Sequence, residues 1–150
     1  MEKLIKMDTK TFVVLYILLD LMCVGAGMGV PIFCILLGFP LGWYITKRIS
    51  LSAGHSRLLY ARILKLSALT TVSTFLSMVA IWGRAVLMLF DPAADFNNFG
   101  HPFILYEPKA SFVGWLILMI FISPFLQLLT TIFASFVTLM NDESENHNSA

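Results

Sequence analysis

The feature that most constrains this chain is an apolar run at residues 12–46 that is too long for one membrane crossing. A hydrocarbon core of about 30 Å requires about 20 residues of helix. Glycines at positions 25, 27 and 29 and then Pro31 interrupt the run, and such residues permit a tight reversal and a new helix start. The run therefore predicts a hairpin of two short spans, at about 11–26 and 31–46. A re-entrant hairpin that does not cross the bilayer fully is the alternative.

Two further apolar runs, at about 66–90 and 112–140, leave no room for a soluble domain. Only 13% of the residues are charged, whereas soluble domains carry about 25%. We therefore predict an all-α, polytopic integral membrane protein, with four transmembrane helices in a single domain at 1–141. The polar loop 91–111 is expected on the outer side, where its aromatic residues pack on the bundle or the membrane surface. The acidic tail 142–150 is expected to be disordered.

Basic residues flank the hairpin on both sides. Eight of the ten lysines and arginines lie before the first span or in the 47–65 connection, at Lys3, Lys6, Lys10, Lys47, Arg48, Arg57, Arg62 and Lys65. The positive-inside rule therefore predicts that the N-terminus and this connection are cytoplasmic, and with four spans the C-terminus as well. We expect the protein to lie in the plasma membrane. We expect the five basic residues of the connection to lie near anionic headgroups. The connection is either an interfacial helix or the foot of the third span.

Polar residues inside the spans mark a candidate site. Asp20 lies near the middle of the first span, and an intramembrane carboxylate is a functional candidate because it is costly to place there. The third and fourth spans each carry a stripe of polar residues at helical spacing. The candidate intramembrane polar site consists of Asp20, Thr74, Ser77, Arg84, Gln127 and Thr131. We expect Asp20 to be protonated or paired with Arg84, unless Arg84 snorkels to the outer surface.

Small residues four positions apart allow helix backbones to approach closely. Gly25 with Gly29 and Gly38 with Gly42 are therefore predicted to mediate helix packing, including contact with a second copy or a partner protein. Cys23 and Cys34 flank the reversal, where they either form a disulfide or remain free. The chain shows no metal-ligand spacing and no nucleotide-binding loop, so neither a metal nor another cofactor is expected.

Two functions follow as hypotheses. The first is a transport or permeation component whose path is lined by the polar stripes of the third and fourth spans. The alternative is a non-catalytic membrane subunit or scaffold that binds a partner membrane protein through its glycine-containing faces. The sequence leans against an enzyme because no convergent acid–base set emerges. A hydrated cavity between the stripes would favour transport, whereas a fully packed seam would favour the scaffold.

Overall fold

The computed structural model describes residues 8–26, 31–50, 56–102 and 105–148 of the 150-residue chain. The regular structure there is helical, with five α-helices: α1 (Thr9–Ala26), α2 (Ile32–Ser50), α3 (Ser56–Leu87), α4 (Pro108–Ile117) and α5 (Ser123–Asn148). Three segments are long and apolar enough to cross a membrane: Ile32–Ser50, Leu58–Phe90 and Pro108–Asp142. The all-helical class and the three apolar membrane-length segments confirm the coarse prediction for the described residues.

The helices α1 and α2 form an antiparallel hairpin. The ring of Phe12, near the start of α1, stacks on Tyr44, near the end of α2, with 4.8 Å between ring centroids. Tyr16 and Leu41 join the same buried apolar cluster. Both cysteines are free, so the disulfide across the hairpin is not formed. The predicted reversal at 27–30 lies outside the described residues.

The helix α3 begins at Ser56 and continues to Leu87, after which a short 3-10 turn, Met88–Phe90, ends it. Of the basic residues of the 47–65 connection, Lys47 and Arg48 end α2. Arg57, Arg62 and Lys65 belong to the first part of α3 rather than to a separate interfacial helix. Residues 51–55 lie outside the described part of the chain. The exposed Arg62 and Lys65 lie on the first turns of α3.

The last membrane-length segment contains a π-helical turn, Leu118–Ile122, which joins α4 to α5. The Ser123 N–H donates to the Leu118 carbonyl, five residues earlier. Pro124 explains the widened turn, because proline has no N–H for the Ile120 carbonyl and its ring collides with that carbonyl in a regular helix. The proline at this position therefore changes the helical register without ending the helix.

The most extensive packing in the protein joins α2 and α5, which run parallel. The Thr130 hydroxyl donates to the Ile35 carbonyl at 2.8 Å, and the Ser135 hydroxyl donates to the Gly42 carbonyl at 3.1 Å. A Cβ atom on Gly42 would lie 2.2 Å from the Thr131 carbonyl oxygen, and one on Gly38 would lie 2.8 Å from the Gln127 carbonyl oxygen. Only glycine permits this approach.

The glycine faces therefore differ from the expected partner surfaces. The face that contains Gly38 and Gly42 is covered by α5 of the same chain and is not open to a second copy. A Cβ atom on Gly25 would have no neighbour within 4 Å, so Gly25 supports no close packing among the described residues. Gly29 lies outside the described residues.

The helix α5 extends to Asn148, so most of the tail that was predicted to be disordered, 142–150, is helical. The Lys47 ammonium donates to the Asp142 carboxylate at 2.5 Å, which joins the ends of α2 and α5. This contact holds the first turn of the tail against the end of α2. It also places the end of the last span beside the basic 47–65 connection.

Asp142→Asn is expected to lower the free energy of unfolding by less than about 1 kcal/mol, because partly exposed ion pairs contribute little. The side chains of Lys47 and Asp142 are 34% and 26% exposed. Equilibrium unfolding in detergent at low and high salt would measure the change. A loss of more than about 2 kcal/mol would show that the contact is not an ordinary surface pair.

The loop before α4, called the outer loop after its predicted side, packs on the bundle, which is one of the two expected arrangements. The rings of Phe96 and Phe99 lie 5.1 Å and 5.0 Å from that of Phe112, measured between centroids. Gly100 adopts a left-handed conformation with φ of 82°, which allows the loop to turn inward before His101. Phe103 lies outside the described residues, and Tyr106 is fully exposed at 105%.

Asp95 stabilises the loop by accepting hydrogen bonds. The Asn98 side-chain amide donates to it at 2.6 Å, and the backbone N–H groups of Asn97 and Asn98 donate at 3.0 and 3.3 Å. The Asn98 side chain is the main reason that the pKa of Asp95 is lowered. The stabilisation is therefore present above the ordinary aspartate pKa and is lost as the pH falls.

Asn98→Ala is expected to raise the pKa of Asp95 in an NMR titration, and an unchanged pKa would contradict this assignment.

Candidate functional site

A network of buried polar side chains lies midway along the helical bundle, between two apolar clusters. One cluster, towards the Lys47 end, contains Phe12 and Ile45, and the other, towards the outer loop, contains Met78 and Trp115. Between them, α1 contributes Tyr16 and Asp20, α3 contributes Thr70 and Thr74, and α5 contributes Gln127. We call these five residues the mid-depth network.

The hydrogen bonds of the mid-depth network join three helices. The Gln127 side-chain amide donates to the Tyr16 hydroxyl at 3.0 Å, and the Tyr16 hydroxyl lies 2.5 Å from the Thr74 hydroxyl. The Thr74 hydroxyl donates to Asp20 Oδ1 at 3.1 Å. The Tyr16 hydroxyl also lies 3.1 Å from the Thr70 carbonyl oxygen.

One arrangement of protons satisfies the sequence of contacts from α5 to α1. The amide of Gln127 donates to Tyr16, Tyr16 donates to Thr74, and Thr74 donates to Asp20. Because each hydroxyl has a single proton, Tyr16 donates either to Thr74 or to the Thr70 carbonyl, but not fully to both. The Thr74 hydroxyl likewise has two acceptors, Asp20 Oδ1 at 3.1 Å and the Thr70 carbonyl at 3.2 Å. The network runs continuously to the carboxyl group only when Tyr16 donates to Thr74 and Thr74 donates to Asp20.

Two acceptors of the network remain unsatisfied within the described part of the chain. Asp20 Oδ2 and Gln127 Oε1 are buried and accept no hydrogen bond from a described residue. Ser77 lies close to the same carboxyl group of Asp20. A buried acceptor without a donor destabilises the folded state by about 1–3 kcal/mol. These two oxygens are therefore the atoms of the network that still lack a hydrogen-bond donor among the described residues.

The structure brings together only part of the site predicted from sequence. Asp20, Thr74 and Gln127 belong to the mid-depth network, and Ser77 lies beside it. Thr131 is buried but donates to the Gln127 carbonyl at 2.7 Å on the α2 side of α5. No hydrogen bond joins the two polar stripes directly through their side chains among the described residues; Tyr16 connects them instead.

The expected pair between Asp20 and Arg84 is not formed. Arg84 is exposed, whereas Asp20 is 0% exposed and contacts Thr74. The reason is distance along α3, because ten residues separate Thr74 from Arg84 and a helix rises about 15 Å over that length. Arg84 thus belongs to the outer end of α3 and not to the mid-depth network.

The predicted site did not include two members of the network: Thr70, which accepts through its backbone carbonyl, and Tyr16. Tyr16 is 4% exposed and bonds to residues of α3 and α5, so it is the central residue of the network. Its position four residues before Asp20 places it on the same helix face. That spacing was the available signal, although a tyrosine in an apolar span is also common near a membrane interface.

The chemistry open to the mid-depth network is limited by its burial. Thr74 and Gln127 are 0% and 1% exposed, and neither lines the two cavities described below. Among the described residues, no group of three or more histidine, cysteine, aspartate or glutamate side chains could hold a metal ion. The network can therefore hold helices in register and exchange protons internally.

Two cavities lie elsewhere in the described residues. One has a volume of about 390 Å³ and lies between α1 and α3 below the outer loop, and the other, of about 240 Å³, lies between α3 and α5 towards the Lys47 end. Neither connects the mid-depth network to solvent through its lining residues.

The chain matches no protein-family model, no curated protein and no solved structure.

Proposed function

We propose that this chain is a four-span protein of the plasma membrane, with both termini in the cytoplasm, which acts as a non-catalytic subunit or scaffold for a partner membrane protein. Three membrane-length helices support the membrane location. The helix α1 has 18 residues and a length of about 27 Å, close to the thickness of a hydrocarbon core. The basic residues at one end of the bundle support the orientation.

The observation that carries the scaffold proposal is the close packing of the polar residues. Asp20, Tyr16, Thr74 and Gln127 are each at most 4% exposed and bond to one another across three helices. A permeation path requires a solute to reach such groups. Their burial supports a structural role in which polar contacts specify how the helices pack.

We assign the proposed partner surface to the outer end of the bundle. Phe90 is 81% exposed and Tyr106 is 105% exposed, and Leu87 and Leu105 are also exposed. Exposed aromatic residues are frequent anchors of protein interfaces. We propose that Leu87, Phe90, Leu105 and Tyr106 form one surface, and we call it the outer aromatic patch.

Affinity purification from native membranes in mild detergent tests this proposal. The wild-type chain and Leu76→Ala, which changes an exposed residue of α3 away from the outer aromatic patch, are expected to retain the same stoichiometric membrane protein. The double variant Phe90→Ala/Tyr106→Ala is expected to lose it. Purification of the wild-type chain alone, or retention of the partner by the double variant, would contradict the proposal.

The four-span topology is tested separately with reporter fusions. A reporter after Ala150 is expected to be active in the form that reports the cytoplasm, and one inserted between Asn97 and Asn98 in the form that reports the outer side. Both reporters on one side would refute the proposed topology.

A second candidate function is proton- or cation-coupled transport, favoured by the unsatisfied oxygens of Asp20 and Gln127. Asp20→Asn separates the two candidates, because the amide oxygen of asparagine can still accept from Thr74. The scaffold proposal expects partner binding to be retained and the free energy of unfolding to change by less than about 1.5 kcal/mol. Normal folding and partner binding with loss of solute flux in reconstituted vesicles would favour transport.

A further inference from the structure

The cavity below the outer loop has the shape of a lateral groove at the surface of the bundle. Its volume is about 390 Å³, and its walls come from α1, α3, α4 and the loop. Leu21 and Gly25 line one side, Ile81 and Trp82 the other, and Phe99 and Trp115 close the inner end. Leu21 and Ile81 are 42% and 40% exposed, so the groove opens between α1 and α3 towards the surrounding apolar phase.

The lining of the groove is apolar and aromatic, with His101 as its single ionisable residue among the described ones. It contains no lysine, arginine, aspartate or glutamate, so it does not suit a phosphate or another charged headgroup. The indole nitrogen of Trp82 is buried and has no acceptor among the described residues. A neutral ligand with an apolar body and a carbonyl oxygen would suit both features.

The groove lies at the depth where lipid ester groups occur. Trp82 is eight residues beyond Thr74, which places it about 12 Å from the mid-depth network towards the outer loop. The edge of a hydrocarbon core lies about 15 Å from its centre. Tryptophan is enriched at this boundary because its N–H bonds polar groups while its ring remains in the apolar phase.

The size of the groove restricts the occupant further. One turn of an α-helix with side chains, about 10 Å wide and 5.4 Å long, occupies roughly 420 Å³. Because the groove is slightly smaller than such a turn, a partner helix could insert only side chains into it, whereas part of a flexible hydrocarbon chain can lie along it. The volume also lies in the range of about 300–1,000 Å³ that is typical of small-ligand sites.

We propose that this groove binds one acyl chain of a neutral or zwitterionic glycerolipid from the outer leaflet, with the ester carbonyl beside the Trp82 indole. The proposal rests on the membrane location proposed above, and it concerns a lipid site separate from the partner surface. Bound lipid would fill the gap between α1 and α3 on the outer side of the mid-depth network, where hydrogen bonds join the two helices.

Quenching of tryptophan fluorescence by a phosphatidylcholine brominated on its acyl chains tests the site. In detergent-solubilised Trp43→Phe protein, only Trp82 and Trp115 remain, and both line the groove. We expect saturable quenching by the brominated lipid. Gly25→Leu in the same background is expected to weaken this binding at least about 10-fold, because a Cβ at Gly25 meets no atom within 4 Å and the added side chain can occupy the groove.

The matched control is Val72→Leu, which enlarges an exposed residue of α3 away from the groove and is expected to bind the lipid as the parent does. An ether-linked brominated analogue lacks the carbonyl and is expected to bind about 2- to 10-fold more weakly, as loss of one hydrogen bond implies. Trp82→Phe is expected to abolish this difference.

Unsaturable quenching, or equal quenching in the Gly25→Leu and Val72→Leu proteins, would overturn the lipid site. Equal affinity of the ester and ether lipids would overturn the assignment of Trp82 to the carbonyl. Because the titration uses purified protein without a partner, a failure here leaves partner binding and topology to be decided by their own experiments.

Discussion

Gly42→Ala is expected to lower the free energy of unfolding by about 3 kcal/mol, although it adds a single carbon atom. The added Cβ would lie 2.2 Å from the Thr131 carbonyl oxygen, 2.9 Å from the Ala134 Cβ and 3.0 Å from the Ser135 backbone nitrogen. Two of these atoms belong to the backbone, so α2 and α5 must move apart. That movement also disrupts the hydrogen bond from Ser135 to the Gly42 carbonyl.

The matched control is Gly114→Ala in α4, where an added Cβ has no neighbour within 4 Å. This variant is expected to be neutral or to stabilise the protein by up to about 1 kcal/mol, because alanine favours helix more than glycine does. Reversible unfolding in mixed micelles, followed by circular dichroism, measures both variants. Equal stabilities of the two variants would show that α2 and α5 are not in close contact at Gly42.

Tyr16→Phe is expected to lower the free energy of unfolding by about 1–3 kcal/mol, because it removes one hydroxyl and leaves the Gln127 amide without an acceptor. The packing of the ring is preserved, so the loss reports on hydrogen bonding. Gln127→Leu removes the other partner of the same bond. The measurement is again equilibrium unfolding, performed on both single variants and on the double variant.

The double variant tests whether Tyr16 and Gln127 act together. We expect Tyr16→Phe/Gln127→Leu to lose less stability than the sum of the single variants, with a coupling of about 0.5–3 kcal/mol. The reason is that the second substitution removes a polar group that the first has left unpaired. Tyr44→Phe, on the neighbouring helix α2, serves as the control and is expected to add independently with Gln127→Leu. Strict additivity for Tyr16 and Gln127 would contradict the contact between α1 and α5.

Much of the fold could be predicted because the relevant signals are long and local. The apolar runs gave the helices, and the Gly-rich interruption before Pro31 separated α1 from α2. Pro124 indicated a distortion, and its missing N–H accounts for the π-helical turn before it. The four-span count and the location of the termini remain predictions.

The candidate site was harder to predict because its residues are paired by tertiary packing. Sequence periodicity placed Thr74 and Gln127 on polar stripes but could not show that Tyr16 connects them. Of the alternatives expected for Asp20, the pair with Arg84 is not formed, because the rise of α3 separates Arg84 from Thr74 and Asp20. The faces of Gly38 and Gly42 were assigned to a partner, since sequence spacing does not distinguish contacts within the chain from contacts between chains.

The most direct test of the scaffold proposal is whether water reaches the buried polar residues of α3 and α5. In a Cys23→Ala/Cys34→Ala background, single cysteines at Thr74 and Thr131 would be treated with a small, membrane-impermeant thiol reagent, applied to either side of sealed vesicles. Asn98→Cys in the exposed outer loop provides the positive control. We predict that positions 74 and 131 remain unmodified while position 98 reacts from the outer side. Modification of position 74 or 131 would reveal an aqueous path through the bundle and would contradict a purely structural role.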